Sequence, residues 1–263
     1  MNPNPNKGYL DTAIYAAKVA SDHIIKSSKR KIKTFKAKTD LVTDTDLASE
    51  ELITNIIKNK YPDHNILAEE SGLIDRHSSE YTWIIDPLDG TTNFVHNYPS
   101  YAVSIALIQK NEPIVGVVIE MPLMNIYYAT INSAAYCNNK IIECSNTDKL
   151  ILSLLVTGFS YNHNENWNLN IEYFKKFTDI TQGVRRLGSA AIDLCHTATG
   201  HVDGFWEFDL KPWDVAAGVL IAKRAGANIS KLNGDKYSIY DDEILVTNGL
   251  IHQDMIKVFK ELK

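Results

Sequence analysis

Two aspartates, Asp86 and Asp89, follow an apolar run and precede a Gly-Thr-Thr turn in WIIDPLDGTTNF, residues 83–94. Residues 82–85 are nearly all apolar, as suits a strand buried on both faces, so the carboxylates emerge at its end. Open α/β sheets place their ligand sites there. Like charges this close raise each other's pKa in a low-dielectric pocket and cannot both stay ionised without a cation. Mg²⁺ meets that need, because it prefers a few carboxylates with waters and phosphate oxygens over a closed protein cage. Further acid is available: Glu69 and Glu70 close the strand-like run in ILAEES, and Asp214 opens an apolar helix in LKPWDVAAG. Carboxylates at three strand ends or helix starts can converge on one cleft, as two-metal phosphoryl chemistry requires. Gly90 permits close backbone approach, and the amides of Gly90, Thr91 and Thr92 at a helix start would cradle a phosphate. Asp-Pro-x-Asp-Gly is also a good turn, and Asp before a helix an ordinary cap. The conjunction of DPLDGT with WDVAAG, AEES and LVTDTD is what favours chemistry.

The elements that must hold these groups follow from periodicity. Apolar residues recur at helical spacing over 9–25 and 48–57, and Pro62 ends the second helix. Runs rich in β-branched and aromatic residues follow at 65–68, 82–85, 102–108, 113–119 and 126–131. Asn111-Glu112 and Asn138-Asn139 sit where hairpin turns belong, so this half reads as mainly antiparallel sheet. The second half alternates, with strands expected at 151–156, 183–187, 202–208 and 244–246 and helices at 168–177, 190–199, 215–225 and 251–262. No repeat or Gly/Ser linker interrupts it, so residues 1–263 read as one domain of two packed halves, about 1–146 and 147–263.

Composition narrows the function classes. An apolar content of 44% is that of a soluble globular enzyme, and a net charge of −5 gives no footprint for nucleic acid. The lysines between Lys26 and Lys38 lack aromatic interleaving and read as a solvated helix end and loop. The start MNPNPNKGY has no apolar core of a signal peptide, and no stretch approaches the ~20 apolar residues of a membrane span, so the chain reads as cytoplasmic with no membrane partner. Cys137, Cys144 and Cys195 are odd in number without CxxC spacing and read as buried thiols; none of the eight histidines falls in a ligand pattern.

DPLDGTTNF (86–94) and WDVAAG (213–218) resemble the two signature motifs of the inositol monophosphatase family. LVTDTD (41–46), AEES (68–71), GVRRLGSAAIDLC (183–195) and HVDGFWEFDLKPWD (201–214) look like further family segments in family order, so the resemblance spans nearly the whole chain. It is closer to inositol monophosphatases than to fructose bisphosphatases or nucleotide phosphatases. The resemblance implies an αβαβα layered sandwich, an α/β fold, and a homodimer. It also implies a Mg²⁺-dependent, Li⁺-sensitive hydrolase of inositol monophosphate or a similar polyol or sugar monophosphate. Carried over by position, Glu69, Asp86 and the carbonyl of Leu88 would bind one Mg²⁺ and Asp86, Asp89 and Asp214 a second, with Glu69 also touching a third, weaker ion. Thr91, hydrogen-bonded to Asp46, would orient the attacking water with Glu69 assisting. Asp89, Glu207, Asp214 and the backbone of Gly188, Ser189 and Ala190 would hold the alcohol, for which carboxylates suit because each accepts from two neighbouring hydroxyls.

Three departures and two alternatives accompany this reading. Asp209 stands where relatives often carry glycine, with Lys211 two residues on. Either the two pair, or the added charge disfavours doubly charged substrates. Lys36 matches a family lysine near the metal site only ambiguously, and Arg185 and Arg186 suit a dimer interface, a partner's pocket or plain surface. The alternatives are another phosphatase of the superfamily, acting on fructose 1,6-bisphosphate, a 3′-phosphonucleotide or histidinol phosphate, and a regulatory binding protein that keeps the fold.

Overall fold

The computed structural model describes residues 6–27, 32–35, 41–74 and 78–262. Helix α1 (Lys7–Lys26) buries Ala13, Ala16, Ala17, Ala20 and Ile24 completely. That stripe of small residues at helical spacing lets the helix lie close on a sheet. Strands β1 (Ile32–Phe35) and β2 (Leu41–Thr43) pair antiparallel and lead into α2 (Asp44–Lys60). Periodicity places the start of α2 at 48, but the cap moves it to Asp44. The Thr43 side chain accepts from the amides of Thr45 and Asp46, and the Asp46 carboxylate accepts from the Thr43 N–H at 2.9 Å. This capping box fixes Asp46 in the first turn.

The larger sheet comprises β3 (Asn65–Ala68), β4 (Gly72–Leu73), β5 (Tyr81–Asp89), β6 (Tyr101–Gln109), β7 (Glu112–Met121), β8 (Asn125–Thr130), β9 (Tyr136–Cys137) and β10 (Lys140–Ile141). Its order is β10-β9-β8-β7-β6-β5-β3-β4, antiparallel throughout except for the parallel pair β3 and β5. Both expected hairpin turns form. One centres on Asn138 and Asn139 at φ 49° and 66°; the other lies one residue early, on Lys110 and Asn111 at 50° and 66°, because Glu112 already belongs to β7. The short α3 (Thr91–Val95) follows β5.

The second sheet contains β11 (Leu154–Thr157), β12 (Gly183–Arg185), β13 (Gly204–Phe208), β14 (Asn228–Ser230) and β15 (Glu243–Thr247) in the order β12-β11-β13-β15-β14. It is parallel across β12, β11 and β13 and antiparallel beyond. Its helices are α4 (Glu165–Ile180), α5 (Ala190–Ala198), α6 (Pro212–Arg224) and α7 (His252–Glu261). The strand expected from 151 begins late. Leu150–Leu152 make a 3₁₀ turn that leaves Ile151 and Leu152 exposed, and the buried Ser153 hydroxyl donates back to the Lys149 carbonyl at 2.9 Å.

Three apolar cores define the layers. Helices α1 and α2 pack on one face of the larger sheet around Trp83, Ile105 and Val117. Helices α5 and α6 fill the space between the sheets, joining Ile84 and Val118 to Phe205 and Val246. Tyr173 and Phe177 of α4 meet Trp206 and the α7 residues Met255 and Phe259 on the far side. The result is the expected αβαβα sandwich, with burial of each large apolar side chain contributing about 1.5–3 kcal/mol. Lys36 and most of the lysine cluster lie outside the described residues. All three cysteines are free, but only Cys195 is fully buried; Cys137 and Cys144 are half-buried. Among the described residues no helix is long and apolar enough to cross a membrane.

Candidate active site

Strand β5 runs past its apolar stretch and through both aspartates. Its register against β6 slips between Asp86 and Asp89, where Pro87 removes a ladder donor. Asp86 is 1% exposed and accepts from the Leu88 N–H at 3.0 Å. Gly90 then turns the chain at φ 84°, where a Cβ would meet the carbonyls of Ser100 at 3.0 Å and Gly188 at 3.1 Å. Only glycine suits both the angle and the approach. Directly after it, the Thr91 hydroxyl lies 2.8 Å from Asp46 Oδ1 and 3.0 Å from the Leu88 carbonyl, so its single proton is shared between two acceptors. The β5 end is thereby tied to the cap of α2.

Three further elements deliver carboxylates to the same place. Glu69 follows β3, the parallel neighbour of β5, and its amide donates to the Ile85 carbonyl at 3.1 Å. Asp214 sits at the third position of α6, where its carboxylate accepts from the Lys211 N–H at 2.6 Å. Glu207 is the buried penultimate residue of β13. Asp89 spans the two halves, accepting from Ser189 Oγ at 2.6 Å and the Ala191 N–H at 2.8 Å. Ser189 is also the N-cap of α5, so one hydroxyl serves the helix and the site together.

Crowded carboxyls dominate the electrostatics, although Arg186 and Lys211 also line the cleft. Desolvation first, then the neighbouring Glu69, Asp89 and Asp214, push the Asp86 carboxyl well above its usual range, and Glu69 hydrogen-bonds it, which requires a proton on one of the pair. Asp214 rises for the same reasons, burial first and then Glu69 and Asp89. Burial also lifts Asp89 to about 6, against the hydrogen bonds from Ser189 and the α5 amides. Asp46 is raised by burial despite its bonds from Thr43 and Thr91.

These groups surround a cleft of about 410 Å³ between the two halves. Glu69, Asp89, Gly90, Gly188, Ser189, Ala190, Glu207 and Asp214 line it. Asp86, Leu88, Thr91 and Asp46 are not on its wall but are bonded to one another beneath it. Thr92, expected at the phosphate, instead lines an adjoining chamber of about 260 Å³. The Glu70 amide is engaged by Glu50 at 2.9 Å, and Glu70 does not line the cleft. Asp209 does not pair with Lys211: its carboxylate accepts from the side-chain amides of Asn164 and Asn166. Arg186 lines the cleft of its own chain, while Arg185 ends β12 in an exposed position.

Sequence reasoning missed two parts of this wall. Asp193 is 1% exposed and raised by burial and then by Glu207, and its Oδ1 has no hydrogen-bond partner. An aspartate inside the apolar AAIDLC helix was the available signal. The second is the segment GFSYNHN, residues 158–164, whose aromatics and asparagines carry no period and so no element assignment.

The donor set fits a hard, hydrated cation. Among the described residues no three His, Cys, Asp or Glu side chains close on a single metal-sized point. The carboxyls of Asp86, Asp89 and Asp214 instead raise one another's pKa or are raised by Glu69 around a shared space, and an oxygen-only, open set of this kind matches Mg²⁺ better than Zn²⁺.

Comparison with known proteins gives one consistent likeness. The model of the inositol monophosphatase family matches residues 7–263. The chain is 44% identical over 255 residues to the chloroplastic phosphatase IMPL1 of Arabidopsis thaliana, covering 94% of this chain and 69% of that one. It is 45% identical over 216 residues to an inositol-1-monophosphatase of Synechocystis, covering 82% and 75%, and 40% identical over 228 residues to the Nus factor SuhB of Vibrio cholerae, covering 86% and 85%. Among solved structures, an inositol monophosphatase from Anabaena superposes with a TM-score of 0.89 at 38% identity, covering 99% and 98%.

Proposed function

The chain belongs to the inositol monophosphatase family, and on that premise we propose that it hydrolyses inositol 1-phosphate, or a closely similar polyol or sugar monophosphate, to the alcohol and phosphate. The observation that carries the reading is the convergence of Glu69, Asp86, Asp89 and Asp214 on one cleft, with Asp86 buried and the carboxyls of Asp86, Asp89 and Asp214 all pushed upward. Phosphoryl transfer asks a protein for positioning and neutralisation of charge more than for a covalent partner.

In this proposal Glu69, Asp86 and the Leu88 carbonyl hold one Mg²⁺ and Asp86, Asp89 and Asp214 a second, with a third and weaker ion at Glu69. Bound there, Mg²⁺ supplies the positive charge that offsets the phosphoryl oxygens and makes water a competent nucleophile near neutral pH. The residues do the rest. With its proton committed to Asp46 and Leu88, Thr91 would orient an incoming water, with Glu69 on the cleft wall assisting by accepting the proton that water gives up. Of the expected phosphate cradle, Gly90 lines the cleft and would offer its amide to the phosphate. Asp89, Glu207, Asp214 and the backbone of Gly188, Ser189 and Ala190 hold the alcohol, the carboxylates accepting from its hydroxyls. Inhibition by Li⁺, a homodimeric state and a cytoplasmic location belong to the same proposal.

Phosphate release from a panel of mono- and bisphosphates, with Mg²⁺, with EDTA, and with Mg²⁺ plus Li⁺, tests it. Preferential hydrolysis of inositol 1-phosphate that needs Mg²⁺ and falls with Li⁺ is the expected result. Preference for fructose 1,6-bisphosphate or a 3′-phosphonucleotide moves the chain to another activity of the superfamily. The relative named as a Nus factor favours a second reading, a regulatory binding role. A cellular phenotype that survives mutation of Asp89 would support that role.

A further inference from the structure

Asp209 is not a ligand of anything in the site just described, yet the chain holds it in an unfavourable place. It lies in the loop between β13 and α6 at φ 63°, a region that glycine occupies freely and other residues rarely. Its N–H donates to the Asp242 carbonyl at 2.6 Å, which fixes that conformation. The carboxylate accepts from Asn164 Nδ2 at 2.9 Å and Asn166 Nδ2 at 2.8 Å, one amide on each oxygen. Asn164 is itself the N-cap of α4, its Oδ1 accepting from the Trp167 N–H at 3.0 Å.

The segment so gripped is held at both ends. At its start, a Cβ on Gly158 would run into the Glu207 carboxylate. The Gly158 carbonyl accepts from Asn170 Nδ2 at 2.7 Å, and Asn170 in turn accepts from Trp206 Nε1 at 2.6 Å. At its far end the grip is Asp209. Between them Phe159, Ser160 and Tyr161 stand as a partition: together with Arg186 and Gly188, they line both the 410 Å³ cleft and the 260 Å³ side chamber, the latter completed by Thr92, Asn93, His163 and Trp167.

We propose that Asp209 is a specificity-determining positioning residue: by clasping Asn164 and Asn166 it holds the 158–164 segment as a partition that confines the cleft to a single-ring polyol and closes the side chamber to a larger alcohol. This rests on the phosphomonoesterase reading above. In this proposal a six-carbon polyol monophosphate occupies the 410 Å³ cleft with the partition in place, and an alcohol with a second ring gains the 260 Å³ side chamber when the partition swings away.

The test uses the full chain and two substrates, inositol 1-phosphate and adenosine 2′-monophosphate. Asp209→Gly suits the backbone angle, so the fold is kept while both clasp bonds are lost. Asn164→Asp combined with Asn166→Ala breaks the clasp from the other side and preserves the α4 cap. Each change is expected to lower the kcat/KM preference for inositol 1-phosphate by about tenfold, the scale on which pocket fit discriminates. The change appears in KM, with kcat for inositol 1-phosphate moving less than about threefold. Joining the two sets should add nothing further, because one contact is removed only once. Faster amide exchange at 159–163 in Asp209→Gly would accompany the shift. An active wild type whose preference is unchanged in both variants, with only Tm altered, overturns the clasp as a selector. A wild type silent toward every monoester overturns the reading beneath it.

Discussion

Asp86 and Glu120 are both buried carboxylates on the larger sheet, one strand apart across β6, and their surroundings have opposite effects. Burial raises Glu120 too, but Tyr127 Oη donates to it at 2.9 Å, Asn125 Nδ2 at 3.0 Å, and His196 Nε2 lies 3.3 Å away. These donors prevail and pull its carboxyl down to about 2. Asp86 has one backbone donor and three acidic neighbours, and goes up. Desolvation is common to both; the donors decide. Around Glu120 the chain completes its own charge balance, which makes a structural anchor. In the cleft the described donors and cations leave Asp86, Asp89 and Asp214 raised, which suits a site that takes a cation.

The largest expected effect breaks the cleft side of this contrast. Asp89→Asn keeps an oxygen for Ser189 and the Ala191 amide but removes a charge, so turnover should fall by about 10³-fold or more. Tm of the metal-free protein should hold or rise, because one repulsion is gone. Mg²⁺ at a hundred times its Kd should stabilise the wild type by about 2.7 kcal/mol, and this gain should shrink in the variant. Steady-state kinetics and melting with Mg²⁺ or EDTA read both. Full activity in Asp89→Asn would sink the assignment of the cleft.

Glu120→Gln is the mirror experiment. The side chain keeps its shape and an oxygen for Tyr127 and Asn125, but the charge that strengthens those bonds is gone and the NH₂ must turn to His196 Nε2. A loss of about 2–3 kcal/mol in denaturant unfolding is expected, with kcat changed by less than about twofold. A large fall in kcat without loss of stability would erase the distinction between the two regions.

The contrast also explains what the sequence made legible. Asp86, Asp89, Asp214 and Glu69 were visible because each sits at a break in an apolar pattern, where a strand or helix must begin or end. The order of helices and strands was visible because α1 and the strands β5 to β8 are long, while the αβαβα layering was implied by the family resemblance. The rest lacked those signals. The start of α2 depended on Thr43 as a cap, which hydrophobic periodicity does not register. The strand expected at 151 gave way to a 3₁₀ turn through one serine hydroxyl. Strands β4, β9 and β10 have two residues each, too few for a period of two to show. Asp209 looked like a partner for Lys211 because they are near in sequence; its bonds reach 43 and 45 residues back. Glu120, between Ile119 and Met121, was invisible for the same reason: the donors that make it structural arrive from β8 and α5.

The smallest effect, in pH, separates the regions by sign. Glu120 is depressed from 4.5 to about 2, so its contribution is complete above about pH 4.5 and is lost as pH falls towards 2. Tyr127, Cys137, Cys195 and His201 are among the ionisable groups that feel its charge. After discounting for solvent screening, this acid limb amounts to about 1–2 kcal/mol. The cleft carboxyls are raised, so their contribution to metal-free stability is complete below about 3.8 and is lost as pH rises, through about 6 for Asp89. Metal-free protein should therefore melt highest on the acid side of neutrality and weaken in both directions. Glu120→Gln should flatten only the acid limb, and Mg²⁺ only the alkaline one, since a bound cation replaces the protons the cleft would otherwise have to keep. Melting curves from pH 3 to 8, with and without Mg²⁺, resolve the two limbs. If Mg²⁺ shifts both limbs alike, the cation does not act at the cleft and the two buried carboxylates do not differ in the way their donors require.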